Sequence, residues 1–180
     1  NAHPHRSTSG DLALIHNGII ENYAAIKEEL LHRGHTFRSD TDTEVLVHLI
    51  DDVQRTEGVD LAEAVRLALV SVVGAYAIVV MDRKEPDVMV AARKSSPLVI
   101  GIGDGEHFVA SDATPIVEHT KNVVYLEDGE IAVMDRVKGL KVRNIKNQVK
   151  TPFIQELEMH LEALEKGGYD HFMLKEIHEQ

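Results

Sequence analysis

The sequence predicts an α+β fold built of stacked layers, and three observations predict it. Helical periodicity is confined to a block before residue 74 and to the tail. Six short β-branched runs follow one another between residues 75 and 135. The two kinds of element are grouped and not alternated, which argues for antiparallel sheets covered by helices and against a doubly wound parallel sheet. The size allows this: 180 residues at 43% apolar and 27% charged are enough for one domain with a real core. Aromatics are scarce and tryptophan is absent, so Val, Ile, Leu and Ala must build that core.

Taken in order, "NAHPHRSTSGD" reads as a loop. Asp11 to His16 reads as a short strand. A helix is expected from Asn22 as N-cap, with Ile26, Leu30 and Leu31 on its apolar face and Gly34 as its stop. Thr41-x-x-Glu44 has the form of a capping box, followed by a helical stripe of Val45, Leu46, Leu49, Ile50 and Val53. A third helix follows Asp60 and runs to about Val73, where Gly74 ends it. The runs "AYAIVVMD", "DVMVAAR", "PLVIGI", "HFVAS", "NVVYL" and "EIAVMD" then read as strands, with "KVRNI" a further candidate. Ile154, Leu157, Leu161 and Leu164 give the tail a helical stripe that Gly167 and Gly168 break.

Charge and composition exclude several function classes. A formal net charge of −11 makes the chain a poor ligand for nucleic acid or an anionic membrane surface. No run approaches the roughly 18 consecutive apolar residues of a membrane span, and no signal-peptide pattern opens the chain. A cytoplasmic location is expected. With no cysteine, disulfides, thiolate metal sites and a cysteine nucleophile are excluded within these 180 residues.

The candidate chemistry starts at "LIHNGIIENY", residues 14–23. Asn17-Gly18 is the commonest two-residue hairpin dipeptide. It is also a donor pair suited to an oxyanion hole, with the Asn17 amide and the Gly18 backbone N–H aimed at a developing negative oxygen. The hairpin reading needs strands on both sides, and a helical pattern begins within four residues downstream. Asp40 and Asp42 either complement the N-terminal end of a helix or, since Thr41 already supplies the cap, leave a carboxylate to hold an ammonium group. His3, His5 and His16 lack the fixed spacing of a metal site. "GIGDG", residues 101–105, links strand to strand with no helix N-terminus after it, so it is a turn and not a phosphate loop. Ser111-Asp112 has no nucleophile elbow around it.

"NAHPH", "HNGIIENY", "SDTDTEV", "SSPLVIGIG", "FVASD" and "YDHFMLKEIHEQ", in this order and spacing over nearly the whole chain, resemble the class II glutamine amidotransferase (glutaminase) domain of the glutamine–fructose-6-phosphate aminotransferase family. The resemblance implies an N-terminal-nucleophile hydrolase fold, two stacked antiparallel sheets between helix layers. It assigns residues 1–168 to a partial glutaminase domain and 169–180 to the start of a linker to a sugar isomerase domain. It implies L-glutamine as substrate, and an N-terminal Cys with its own α-amino group as base. A thioester would form, and ammonia would pass to fructose 6-phosphate in the isomerase domain to give glucosamine 6-phosphate. No metal or organic cofactor is implied, and the parent is expected to be a homo-oligomer.

Residue by residue, the resemblance places Asn17 and Gly18 in the oxyanion hole, Asp42 on the α-amino group of glutamine, and His3 in the wall of the same pocket. The family's Cys-Gly start and its R-W-A-T-H-G segment, whose Arg grips the glutamine carboxylate, have no counterpart in these residues. The chain is therefore expected to be an N-terminally truncated fragment that hydrolyses no glutamine alone. A non-catalytic, glutamine-binding or regulatory module is the alternative. Missing core strands are expected to leave sheet edge and apolar surface uncovered.

Overall fold

The computed structural model describes residues 3–157. Eleven strands and three helices run in the order β1 His5–Arg6, β2 Leu12–Ile20, α1 Tyr23–His32, α2 Asp42–Glu57, α3 Leu61–Val70, β3 Gly74–Asp82, β4 Val88–Lys94, β5 Val99–Ile102, β6 His107–Ala110, β7 Asn122–Tyr125, β8 Glu130–Asp135, β9 Gly139–Asn144, β10 Val149–Lys150 and β11 Gln155–Glu156. They form a seven-stranded sheet, β1-β2-β3-β4-β8-β9-β10, and a four-stranded sheet, β11-β7-β5-β6. Every named strand pair is antiparallel.

Strand alternation explains the layering. Odd and even residues of β3 face opposite ways, so Tyr76, Ile78 and Val80 pack under the helices while Ala77 and Val79 face the second sheet. Buried on both faces, β3 reads as a continuous apolar run. The first core lies between the seven-stranded sheet and α2 and α3, where Leu46, Ile50, Leu61 and Val65 meet Leu12, Leu14 and Ile78. The second lies between the sheets, around Ala91, Ile100, Val124 and Met134. A third, around Ile116, Val117 and Val123, lines the far side of the small sheet. There, among the described residues, turns at 112–119 cover the sheet in place of a helix layer.

The local signals stand with instructive exceptions. Thr41 caps α2, its Oγ1 accepting from the Glu44 N–H at 3.3 Å, and Asp60 caps α3 by accepting from the Glu63 N–H at 2.8 Å. Gly34 closes α1: with φ at +87°, it lets its own N–H reach the Leu31 carbonyl and the His35 N–H reach that of Leu30. Asn22 occupies the N-cap position of α1 but makes no cap bond. Its side chain clamps the chain after α3 instead, donating to the Ser71 carbonyl at 2.8 Å and accepting from the Val73 N–H at 2.9 Å. That clamp, and Ser71 Oγ bonding back to the Ala68 carbonyl at 2.9 Å, accompany the end of α3 at Val70. Gly74 opens β3 and is not a helix stop. The two-residue strands β1, β10 and β11 carry no sequence pattern. The tail helix expected from Ile154 begins instead as extended chain at β11, and the remainder of its stripe, like the 168/169 boundary, lies outside the described residues.

Candidate active site

The polar triplet His16-Asn17-Gly18 lies inside β2. Asn17 pairs with Ala77 and Gly18 with Tyr76 across an unbroken register from Leu12 to Ile20. The hairpin-turn reading is thus overturned: there is no turn at Asn17-Gly18, because the strand continues to Ile20 and the chain reverses only into α1.

Gly18 is needed for a reason that the sequence did not show. Its φ is +132°, and a Cβ there would run into the Ala75 carbonyl oxygen. Gly74 mirrors it at φ +133°, where a Cβ would meet the Ile19 carbonyl oxygen. The two strands approach through a pair of glycines, each making room for a carbonyl of the other strand.

Strand alternation sorts the side chains at this end of β2. His16 and Ile20 turn inward toward the helices, whereas Ile15, Asn17 and Ile19 turn away and are exposed. Asn17 opens on a cavity of about 170 Å³ between the sheets, lined also by His3, Ala77, Val79, Leu98, Val109 and Ser111. Its amide takes no hydrogen bond among the described residues, so both N–H groups are available to a ligand.

Asp42 reaches the same strand from α2. Its Oδ2 accepts the Ile20 backbone N–H at 2.8 Å, two residues from Gly18, and Oδ1 has no partner among the described residues. Asp40 lies outside this group, fully exposed and 3.7 Å from the Lys27 ammonium. His3 is exposed but anchored, its Nδ1 accepting the His16 backbone N–H at 3.2 Å. All four proposed site residues therefore gather along residues 16–20 of β2.

Two residues that sequence reasoning left as structural bind this neighbourhood together. His16 is buried, with Nδ1 3.1 Å from Thr43 Oγ1 and Nε2 unpartnered among the described residues. Burial pushes its pKa below the ordinary value, and the Asp42 charge and the Ala75 carbonyl only partly oppose this. Glu44 does not complete the capping box by reaching back to Thr41. Its carboxylate accepts the Arg38 N–H at 2.8 Å and the Ser39 N–H at 2.6 Å, which ties down the segment leading to Asp42. Burial alone would raise its pKa, but bonds from the Ser39 hydroxyl, the Arg38 and Ser39 N–H groups and His48 bring it below the usual carboxylate range. The only sequence sign of this role was an acid at the third helical position.

Among the described residues no three His, Asp or Glu side chains converge to hold a metal ion. His3 and His16 each use Nδ1 in a hydrogen bond, which leaves only Nε2 of either ring as a possible ligand.

A family model described as a glutamine amidotransferase domain matches residues 1–118. The chain belongs to the glutamine amidotransferase domain family. The amidotransferase domain is 62% identical over its 180 residues to the glutamine–fructose-6-phosphate aminotransferase [isomerizing] of Bacteroides thetaiotaomicron. It is 59% identical to the protein of that name from Chlorobaculum tepidum and 49% identical to that from Methanothermobacter thermautotrophicus. In each case the whole chain matches, but it spans only 29–30% of the relative's length.

Among solved structures, the glutamine phosphoribosylpyrophosphate amidotransferase from B. subtilis, complexed with ADP and GMP, matches with a TM-score of 0.67 at 30% identity. That match covers 83% of this chain and 33% of the other. A glutamine aminotransferase class-II domain protein from Silicibacter pomeroyi shares the fold, with a TM-score of 0.57 at 18% identity, covering 79% of this chain and 70% of the other. The two stacked antiparallel sheets are thus those of the N-terminal-nucleophile amidotransferases. Among the described residues no helix is long and apolar enough to cross a membrane.

Proposed function

We propose that this amidotransferase domain is the glutamine-hydrolysing part of a glutamine–fructose-6-phosphate aminotransferase. The observation that carries the reading is the convergence on one strand of an unpaired amide, a glycine backbone and a helix-borne carboxylate. Asp42 takes the α-ammonium of glutamine, a charge that must be paired once partly desolvated. His3 flanks the substrate. The Asn17 amide and the Gly18 N–H stabilise the oxyanion as the side-chain amide is attacked.

These 180 residues contain no cysteine, so the nucleophile belongs to another part of the protein. The attack gives a thioester and releases ammonia, and water then frees glutamate. The ammonia passes to a fructose 6-phosphate site beyond these residues, where glucosamine 6-phosphate is made. By itself the chain hydrolyses no glutamine, and the parent is a homo-oligomer.

The test is glutaminase activity of the intact protein with Asn17 replaced by Ala. Loss of one oxyanion donor is expected to lower kcat by about 10²- to 10³-fold with little change in KM for glutamine. Unchanged turnover would overturn the oxyanion role. Glutamine binding by an intact protein that never releases ammonia would favour a binding or regulatory module, a reading the absence of cysteine keeps in play.

A further inference from the structure

Two links join the site end of β2 to the first turn of α2. One is the Ile20 N–H donating to Asp42 Oδ2 at 2.8 Å, and the other is the hydrogen bond between His16 Nδ1 and Thr43 Oγ1 at 3.1 Å. His16 and Ile20 lie on the same face of the strand, and Gly18 between them presents no side chain. The two links therefore straddle the Asn17–Gly18 pair, leaving the strand four residues apart and ending on neighbouring residues of the helix.

They are not equivalent. The Asp42 carboxylate must serve a substrate ammonium as well as the Ile20 N–H, so its hold on the strand changes as the site fills. The His16–Thr43 bond uses no group assigned to substrate. Both of its partners are buried, with His16 at 5% and Thr43 at 4% exposure, so water does not compete for it. His16 is also joined to His3 through its backbone N–H and to Asn17 through the peptide bond.

We propose that His16 is a positioning residue: through Thr43, its imidazole fixes the distance between the oxyanion pair on β2 and the ammonium-binding Asp42 on α2. This rests on the functional reading above and deepens it. Glutamine bound at Asp42 presents its amide carbon to the nucleophile correctly only if the strand carrying Asn17 and Gly18 stays in register with that helix. A shift of about 1 Å leaves ground-state binding nearly intact and misplaces the donors from the oxyanion, a misplacement that costs up to about 10²-fold. Burial keeps the ring in its uncharged form near neutral pH. His3, His5, Asp42 and the Ala75 carbonyl are the groups that bear on its charge.

The experiment compares Thr43→Val, His16→Phe and His16→Asn in the intact protein, by steady-state glutaminase kinetics and by thermal unfolding. Thr43→Val removes only the hydroxyl and keeps the volume. It is expected to fold as the parent does, lowering kcat about 10-fold or more while KM for glutamine stays within twofold. His16→Asn returns an amide near the Nδ1 position and should recover much of what His16→Phe loses. The double variant Thr43→Val/His16→Phe should be no worse than its worse single, because both remove one bond. Folded Thr43→Val protein with kcat within twofold of the parent would overturn the proposal. So would a kcat loss wholly accounted for by a smaller folded fraction. A parent protein that folds but releases no ammonia from glutamine would instead overturn the functional reading, and the role of His16 with it.

Discussion

The two buried faces of α2 are held in opposite ways. Toward the sheet, Leu46, Val47 and Ile50 sit in the first core at 1% exposure or less, beside Leu49 and Val53. On another face Glu44, His48, Asp51 and Asp52 are also buried, at 5% exposure or less, and each is matched to a donor or cation from outside the helix. Glu44 takes the Arg38 and Ser39 N–H groups, and Asp51 takes the Ser9 hydroxyl at 2.8 Å. Asp52 pairs with Arg33 at 2.8 Å and His35 at 3.0 Å. His48 accepts the Thr8 N–H at Nδ1, so its proton sits on Nε2, 3.4 Å from Glu44. The apolar face supplies non-directional stability, whereas the polar face places loops. Removing its partners would release the β1–β2 turn and the segment before Asp42, both beside the site, and leave the layers standing.

The largest expected effect breaks the apolar face. Ile50→Ala should destabilise the domain by about 2–5 kcal/mol, since the well-packed site cannot collapse around the void. Measured by hydrogen exchange in the intact protein, the loss should spread over α2, α3 and β3 together. A loss confined to α2 would show that the core is not one cooperative unit. Glu44→Ala should cost less, about 1–3 kcal/mol, because the freed Arg38 and Ser39 N–H groups are only part-buried and water can reach them. Its effect should be local: faster exchange at residues 36–41 and weaker glutamine binding, with the cores unchanged. Equal effects from the two variants would erase the distinction between the faces.

The same contrast explains what the sequence made legible. Stripes such as Leu46-Leu49-Ile50-Val53 and the apolar run of β3 announce themselves because burial and hydrophobicity coincide there. So do the caps Thr41 and Asp60, whose bonds are three residues long. Glu44, Asp51 and Asp52 look like solvent-facing acids, since their spacing to His48 and Arg55 is that of ordinary surface pairs on a helix, and the further donors that accompany their burial come from residues 9–39. Asn22 misleads for the same reason, serving a segment about fifty residues away. At the candidate site, the residue types that single out 17, 18 and 42 as candidates were legible. The continuation of β2 through Asn17-Gly18 was not, because that dipeptide is a turn signal until Gly74 and the Ala75 carbonyl are seen beside it.

The smallest expected effect is a pH dependence, and it sharpens the comparison because only the polar face can titrate. Burial is the main cause holding the pKa of His48 below its ordinary 6.5, against the hydrogen bond and charge of Glu44. A proton on Nδ1 would also confront the Thr8 N–H, which already points there. The sign follows from linkage: between the lowered folded pKa and about 6.5 the unfolded chain binds a proton that the folded chain refuses, so stability falls as pH falls. It is flat above about 6.5 and declines below, by at most about 1.4 kcal/mol per pH unit for one histidine. His16 and His5, also lowered chiefly by burial, add to the slope. Glu44 and Asp52, both below the usual carboxylate range, lose their contribution only at more acidic pH. In hydrogen exchange at pH 7.0 and 5.5, with rates corrected for intrinsic chemistry, residues 6–9 and 36–41 should open first on acidification. His48→Asn keeps an acceptor for Thr8 but removes the titrating ring, so it should flatten part of that response. If protection at these loops is the same at both pH values in the parent, His48 is not held neutral by its surroundings. The polar face would then be a set of satisfied bonds with no electrostatic preference of its own.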